Sequence, residues 1–138
     1  VKNAGYLYDS SINPTYIPGR YNKTNLPKII FREDGLIRVP TAVTPNFRIP
    51  LFWLAFKNVP YKLYKYWAIK TLRQYGYLSL YFHPWEFTNI ETYKIPSYII
   101  KPCGKILLDK LYKLVDDLKK EGEFLAIENY LQQNNLLV

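Results

Sequence analysis

Twice in this chain an amphipathic helical pattern runs into a glycine and then, almost at once, into a short apolar run. That order restricts the fold more than any other feature. In residues 61–75, Tyr64, Trp67, Ala68, Thr71, Leu72 and Tyr75 recur at helical spacing, with Lys62, Lys65, Lys70 and Arg73 on the other side. Gly76 stands where such helices end, and LSLYFH (78–83) follows as a strand suited to burial on both faces. The order then returns. Pro102 marks a helix start, and Leu107, Leu108, Leu111, Leu114, Val115 and Leu118 fill one arc opposite Asp109, Lys113, Asp116 and Lys120. Gly122 closes this second helix, FLAI (124–127) is a second short buried strand, and ENYLQQ opens a further helix. Successive helix-to-strand units predict an α/β fold of parallel strands with outer helices, either an open sheet or part of a β/α barrel.

The rest of the chain is less regular. Pro14, Pro18, Gly19 and Pro27 make 13–28 an extended surface loop, whereas LIRVPTAV (36–43) is strand-like, with Pro40 at an edge or a strand end. Tyr6 to Tyr8 form another short strand candidate, and the apolar block 51–56, set among Pro45, Pro50 and Pro60, suits a short helix or a packed loop. With 138 residues, no internal repeat and no Gly/Ser linker, the chain is a single domain's worth of sequence. Apolar residues make up 49% and charged residues 22%, which excludes a disordered tail. No apolar run approaches the roughly 18 residues of a membrane span, and the opening VKNAGYLYDSS lacks the layout of a signal peptide. The chain contains no methionine, so Val1 is expected to follow processing or a longer upstream sequence.

The formal charge is +8, unevenly spread. Residues 109–138 hold six acids against four lysines, leaving fifteen basic and five acidic groups in 1–108. The lysines are dispersed rather than run together, so the charge reads as a Lys-rich surface and not as a nucleic-acid arm. Fourteen tyrosines, seven phenylalanines and three tryptophans would stack equally well on nucleobases and on sugar faces.

Few residues are equipped for chemistry. His83, the only histidine, ends a predicted buried strand, the position at which β/α barrels carry their catalytic groups. After it come Pro84, which fixes the backbone, Trp85, a flat apolar face, and Glu86, a nearby carboxylate. Asp9 follows a short strand candidate as well, where it could equally cap a turn with Ser10 and Ser11. A carboxylate beside an imidazole orients it and makes it a better general acid. Phosphate-binding glycine loops and a nucleophile elbow are absent. Cys103, the single cysteine, fits packing better than catalysis, and one histidine with one cysteine makes no conventional transition-metal site.

The segments GYLYDSSINP, RVPTAV and YGYLSLYFHPWE together resemble the C-terminal part of the polysaccharide deacetylases, the NodB-homology group or carbohydrate esterase family 4. The resemblance runs from residue 5 to about 131, since FLAIENYL fits the family's closing βα unit. It implies that residues 1–138 form the C-terminal part of one distorted (β/α) barrel domain. In that family a divalent metal, usually zinc, is held by an Asp and two His from a T-F-D-D and an H-[ST]-x-x-H motif. Neither motif occurs here, nor does the arginine motif that follows them. The resemblance therefore places the metal in the complete enzyme and none on this chain alone.

By the same resemblance His83 matches the general acid that protonates the departing amine, and Asp9 the aspartate that tunes it. The tryptophan usual in the aspartate's motif is missing, and Trp85, with Glu86, would face the substrate instead. The implied activity is hydrolysis of acetamido groups on an N-acetylated polysaccharide of the bacterial envelope, with the isolated segment inactive. Its partner would be the N-terminal half of the same domain or, failing that, another copy of itself. A non-catalytic glycan- or anion-binding module is the alternative, and a nucleic-acid-binding domain the weakest reading.

Overall fold

A computed structural model describes residues 4–137, and their framework begins with one tight turn. Asp34 and Gly35 both adopt left-handed backbone, with φ of 51° and 75°. Two such residues in a row close a hairpin whose twist matches its strands. They join β4 (Phe31–Glu33) to β5 (Leu36–Arg38) in antiparallel register, Glu33 opposite Leu36. On its other side β5 pairs in parallel with β1 (Tyr8–Asp9), Tyr8 opposite Ile37 and Asp9 opposite Arg38. The strand-like 36–43 is thus a central strand that stops before Pro40, which has no N–H to give a ladder. Within 13–28 the chain makes a small antiparallel pair, β2 (Tyr16–Ile17) and β3 (Tyr21–Asn22).

Five α-helices follow among the described residues. The block 51–56 resolves into α1 (Trp53–Asn58). The predicted 61–75 helix is α2 (Tyr61–Tyr75), ended by Gly76 in left-handed backbone. After the short α3 (Ser97–Ile100) come α4 (Gly104–Leu118) and α5 (Ile127–Gln133). Helix α4 stops at Leu118, short of Gly122, and that glycine's N–H turns back to the Leu118 carbonyl. The apolar arcs of α2 and α4 meet with Ala42, Leu51 and Phe56 in the main core, where Tyr64, Leu107 and Leu114 are buried. Helix α5 covers the sheet, with Leu131 packed on Ile37 and Val39.

Charge fastens the same helix pair. Helix α2 carries bases and no acid, and its Lys65 and Tyr61 reach Asp117 of α4 at 3.1 and 2.7 Å. Hydrogen bonds from Tyr61, Lys65 and Lys120 hold the Asp117 carboxyl well below the usual carboxylate range. One turn beyond α4, Glu121 accepts two bonds from Arg73, both at 2.8 Å.

The two runs expected as buried strands behave differently. Residues 78–83 and 124–126 carry no strand ladder, and Ile127 already belongs to α5. The Ala42 N–H donates to the Ser79 carbonyl at 2.8 Å, so 78–83 begins to line up beside the continuation of β5. Both runs border an apolar hollow of about 730 Å³, lined by Leu72, Leu78, Leu80, Leu114, Leu125 and Ile127 among others. A strand buried on both faces needs a neighbour on each edge, and neither run has a ladder partner among the described residues. The fold is mixed α/β, with one parallel and one antiparallel pairing in its three-stranded sheet.

Truncating the core between α2 and α4 carries a definite cost. Leu114→Ala is expected to destabilise the chain by about 2–5 kcal/mol, whereas Ile106→Ala on the exposed face of α4 costs under about 0.5 kcal/mol. Urea unfolding of the two variants, with equal m-values, checks the difference.

Candidate functional site

The site is built by four consecutive residues. Proline at 84 presets the backbone of a 3-10 turn, Pro84–Phe87, which begins directly after His83. One turn brings Glu86 back beneath the histidine. Its Oε1 accepts the His83 backbone N–H at 2.9 Å and lies 2.7 Å from His83 Nδ1. The contact ties Nδ1 to the carboxyl group and leaves Nε2 with no part in it. Glu86 is wholly buried, while the His83 side chain is 40% exposed.

Aromatic rings surround the imidazole. Trp85 stacks on it at 5.4 Å and 19°, and Trp53 and Tyr81 meet it edge-on at 5.5 and 5.6 Å. Phe52 stacks on Tyr81 in turn at 5.5 Å. Trp85 and Tyr81 are partly open to solvent. Such a group, a proton-transferring nitrogen walled by flat apolar rings, suits the faces of sugar rings.

Below the rings lies Lys57, one helical turn after Trp53 on α1 and 4% exposed. Its ammonium donates to the Ile99 carbonyl at 2.8 Å and lies 5.6 Å from the Trp53 ring and 5.3 Å from the Trp85 ring. Burial pushes this lysine below the usual ammonium range, against the opposing pull of Glu86 and Cys103. Neither Trp53 nor Lys57 stood out in the sequence. Their i, i+4 spacing puts them on one helix face, but nothing local names the turn that this face covers.

Asp9 is placed elsewhere. It lies level with Arg38 in the parallel β1–β5 pair and accepts from Arg38 Nη1 at 2.6 Å and from Ser11 Oγ at 2.9 Å. Arg38 also reaches Glu33 at 2.8 Å. Ser79 lines up with Ala42, four residues past Arg38, and His83 is four residues past Ser79. No hydrogen bond or ion pair joins Asp9 to His83. The expected Asp9–His83 pairing is therefore replaced by two separate pairs. Asp9 meets a guanidinium directly across the sheet, and Nδ1 is already taken by Glu86. Glu86, expected to face substrate, is wholly buried with its Oε1 against the backbone and ring of His83. The side chains of His83 and Trp85 are both partly exposed. Cys103 is buried beside Ile90 and Ile100, a packing residue.

Among the described residues no three His, Cys, Asp or Glu side chains come together as a metal-binding group. The donor set is a single imidazole whose Nδ1 is occupied, and it does not fit the Asp-and-two-His site of the deacetylases. No family model, curated protein or solved structure matches the chain.

Burial pushes the Asp9 carboxyl up, but hydrogen bonds from Ser11 and Arg38 outweigh it and hold the group below its ordinary value. A depressed carboxyl contributes stability that is full above its unfolded value, near pH 4, and is lost as pH falls through the folded one. Asp9→Asn is thus expected to destabilise the chain at neutral pH and by progressively less in acid. Urea midpoints of both proteins across that range check this, and a pH-independent difference would mean the ion pair contributes nothing.

Proposed function

We propose that this chain is the C-terminal portion of a metal-dependent polysaccharide N-deacetylase and that His83 is its proton donor. One observation supports the reading above the others: His83 Nδ1 is tied to a buried carboxyl group while the ring, part-exposed, sits among Trp53, Tyr81 and Trp85. Amide hydrolysis needs an activated water, a polarised carbonyl and a proton for the leaving nitrogen. With Nδ1 engaged by Glu86, the ring would enter this step as the imidazolium and give up its Nε2 proton. It passes to the acetamido nitrogen as the C–N bond breaks, and the free amine departs from acetate. Trp85 would support the sugar ring. In the deacetylases a metal would supply the activated water and the polarised carbonyl; the described residues hold no group of side chains for one.

In the whole enzyme, His83→Ala is expected to lower kcat for acetate release from N-acetylated oligosaccharides by about 10²–10⁴-fold, with KM little changed. Activity within a factor of a few of wild type would sink the assignment. The exposed rings also favour the second reading, a glycan-binding module without catalysis. A native gene product with no T-F-D-D and H-[ST]-x-x-H motifs, together with oligosaccharide binding lost in Trp85→Ala, would decide for that module.

The hollow bordered by 78–82 and 121–127 leaves apolar side chains, among them Leu125, next to exposed Phe124. Separated from its other half, the chain is expected to self-associate, with mass rising with concentration in sedimentation and Leu125→Glu reducing the effect. A monodisperse monomer at high concentration would argue against a missing half.

A further inference from the structure

We infer that Lys57 is a positioning residue for the aromatic wall of His83: its buried ammonium draws the indoles of Trp53 and Trp85 into the arrangement in which both meet the imidazole. For its catalytic meaning the inference rests on the reading of His83 as proton donor, whereas the arrangement of the rings can be observed without it.

Lys57 is 4% exposed, and its ammonium donates to a backbone carbonyl, that of Ile99, at 2.8 Å. An ammonium has three donors, and a buried charge is costly unless its surroundings compensate it. Two indole rings contribute that compensation here, with Nζ 5.6 Å from the Trp53 ring and 5.3 Å from the Trp85 ring. Both distances fall within the reach of a cation–π contact, about 6 Å to the ring centre, and such contacts strengthen where water is excluded.

The two rings come from separate elements. Trp53 stands one turn before Lys57 on α1, whereas Trp85 belongs to the 3-10 turn after His83. They meet edge-on at 5.7 Å and 68°, and each also meets the imidazole, Trp85 stacked and Trp53 edge-on. One ammonium thus lies against both supports of the histidine, and the Ile99 carbonyl of α3 anchors it there. Trp85 depends on this hold the more, since it is 40% exposed on a four-residue turn and packing covers only part of it. Lys110 has a different part: it bonds the carbonyls of Lys57 and Val59 at the end of α1 and sits at the Phe56 ring, so it supports the helix rather than the indoles.

The chain's single histidine makes the test direct. Protons stacked on an indole resonate upfield, so proton spectra of the His83 ring, taken where the imidazole is neutral in every variant, report the Trp85 stack. Wild type is expected to show upfield ring protons with Overhauser contacts to Trp53 and Trp85, and Trp85→Leu marks their positions without the stack. Lys57→Met, which keeps the apolar stem and removes the charge, is expected to move the ring protons toward the Trp85→Leu positions and to lose the Overhauser contacts. Lys57→Gln, which retains a donor for the Ile99 carbonyl, should do the same, and Lys57→Arg should keep the wild-type spectrum. A wild-type ring without the upfield shift, a folded neutral variant with an unaltered spectrum, or a folded Lys57→Arg without the stack overturns the inference. Should neither neutral variant fold, Lys57→Arg and the wild-type Lys57 ε-protons decide, since the indoles must then shift those protons upfield. In the whole enzyme, Lys57→Met is expected to lower kcat/KM for acetate release by up to about 10²-fold, with Lys57→Arg restoring it. Full activity in Lys57→Met despite a lost stack overturns the role in catalysis. If the stack is lost as expected but His83→Ala leaves deacetylation intact, the functional reading fails and the positioning of the rings stands.

Discussion

A carboxylate with no access to water governs this structure around its candidate site. Glu86 Oε1 holds the backbone and the ring of His83 together, and this double grip explains why the turn after 78–83 takes the form it does. Pro84 makes the turn tight enough for the carboxylate to return, and the rings of Trp85 and Trp53 close over the space. Excluding water from such a group costs energy unless hydrogen bonds and opposite charge accompany it. The neighbourhood of Glu86 supplies the first, from the backbone and ring of His83.

The helices were legible in the sequence for a simple physical reason. A period of 3.6 can be read within one segment, and α2 occupies the span that Tyr64, Trp67, Ala68 and Thr71 mark out. A strand is completed by its neighbours, and no pattern inside 78–83 or 124–127 reveals whether those neighbours exist. Two local signals did specify pairing. Asp34–Gly35 is a two-residue hairpin turn, unread among the surrounding charged residues, and Pro40 marks where β5 stops. At the site, His83 and Trp85 were visible as parts of one short motif. The separation of Asp9 from His83 was not, because it depends on register across β1, β5 and the segment after α2. Trp53 and Lys57 come from a helix thirty residues upstream of His83 and enter through packing alone.

The uneven charge along the chain has a partly internal explanation. Bases concentrate before residue 109 and acids after it, yet Lys65 and Arg73 of α2 end against Asp117 and Glu121 at the far end of α4. Some of the formal +8 is thus matched across one helix interface, and a partner for the whole of it is not required.

The position of α5 has a consequence for how the chain acquires its shape. Leu131 is wholly buried on Ile37 and Val39, and Arg32 donates to the Leu136 carbonyl at 2.5 Å. The hairpin that anchors the sheet is made well before the helix that shields its apolar face. Until that helix emerges Ile37 and Val39 lack the cover of Leu131, so the interval between making the hairpin and covering it is when the nascent chain most needs a chaperone.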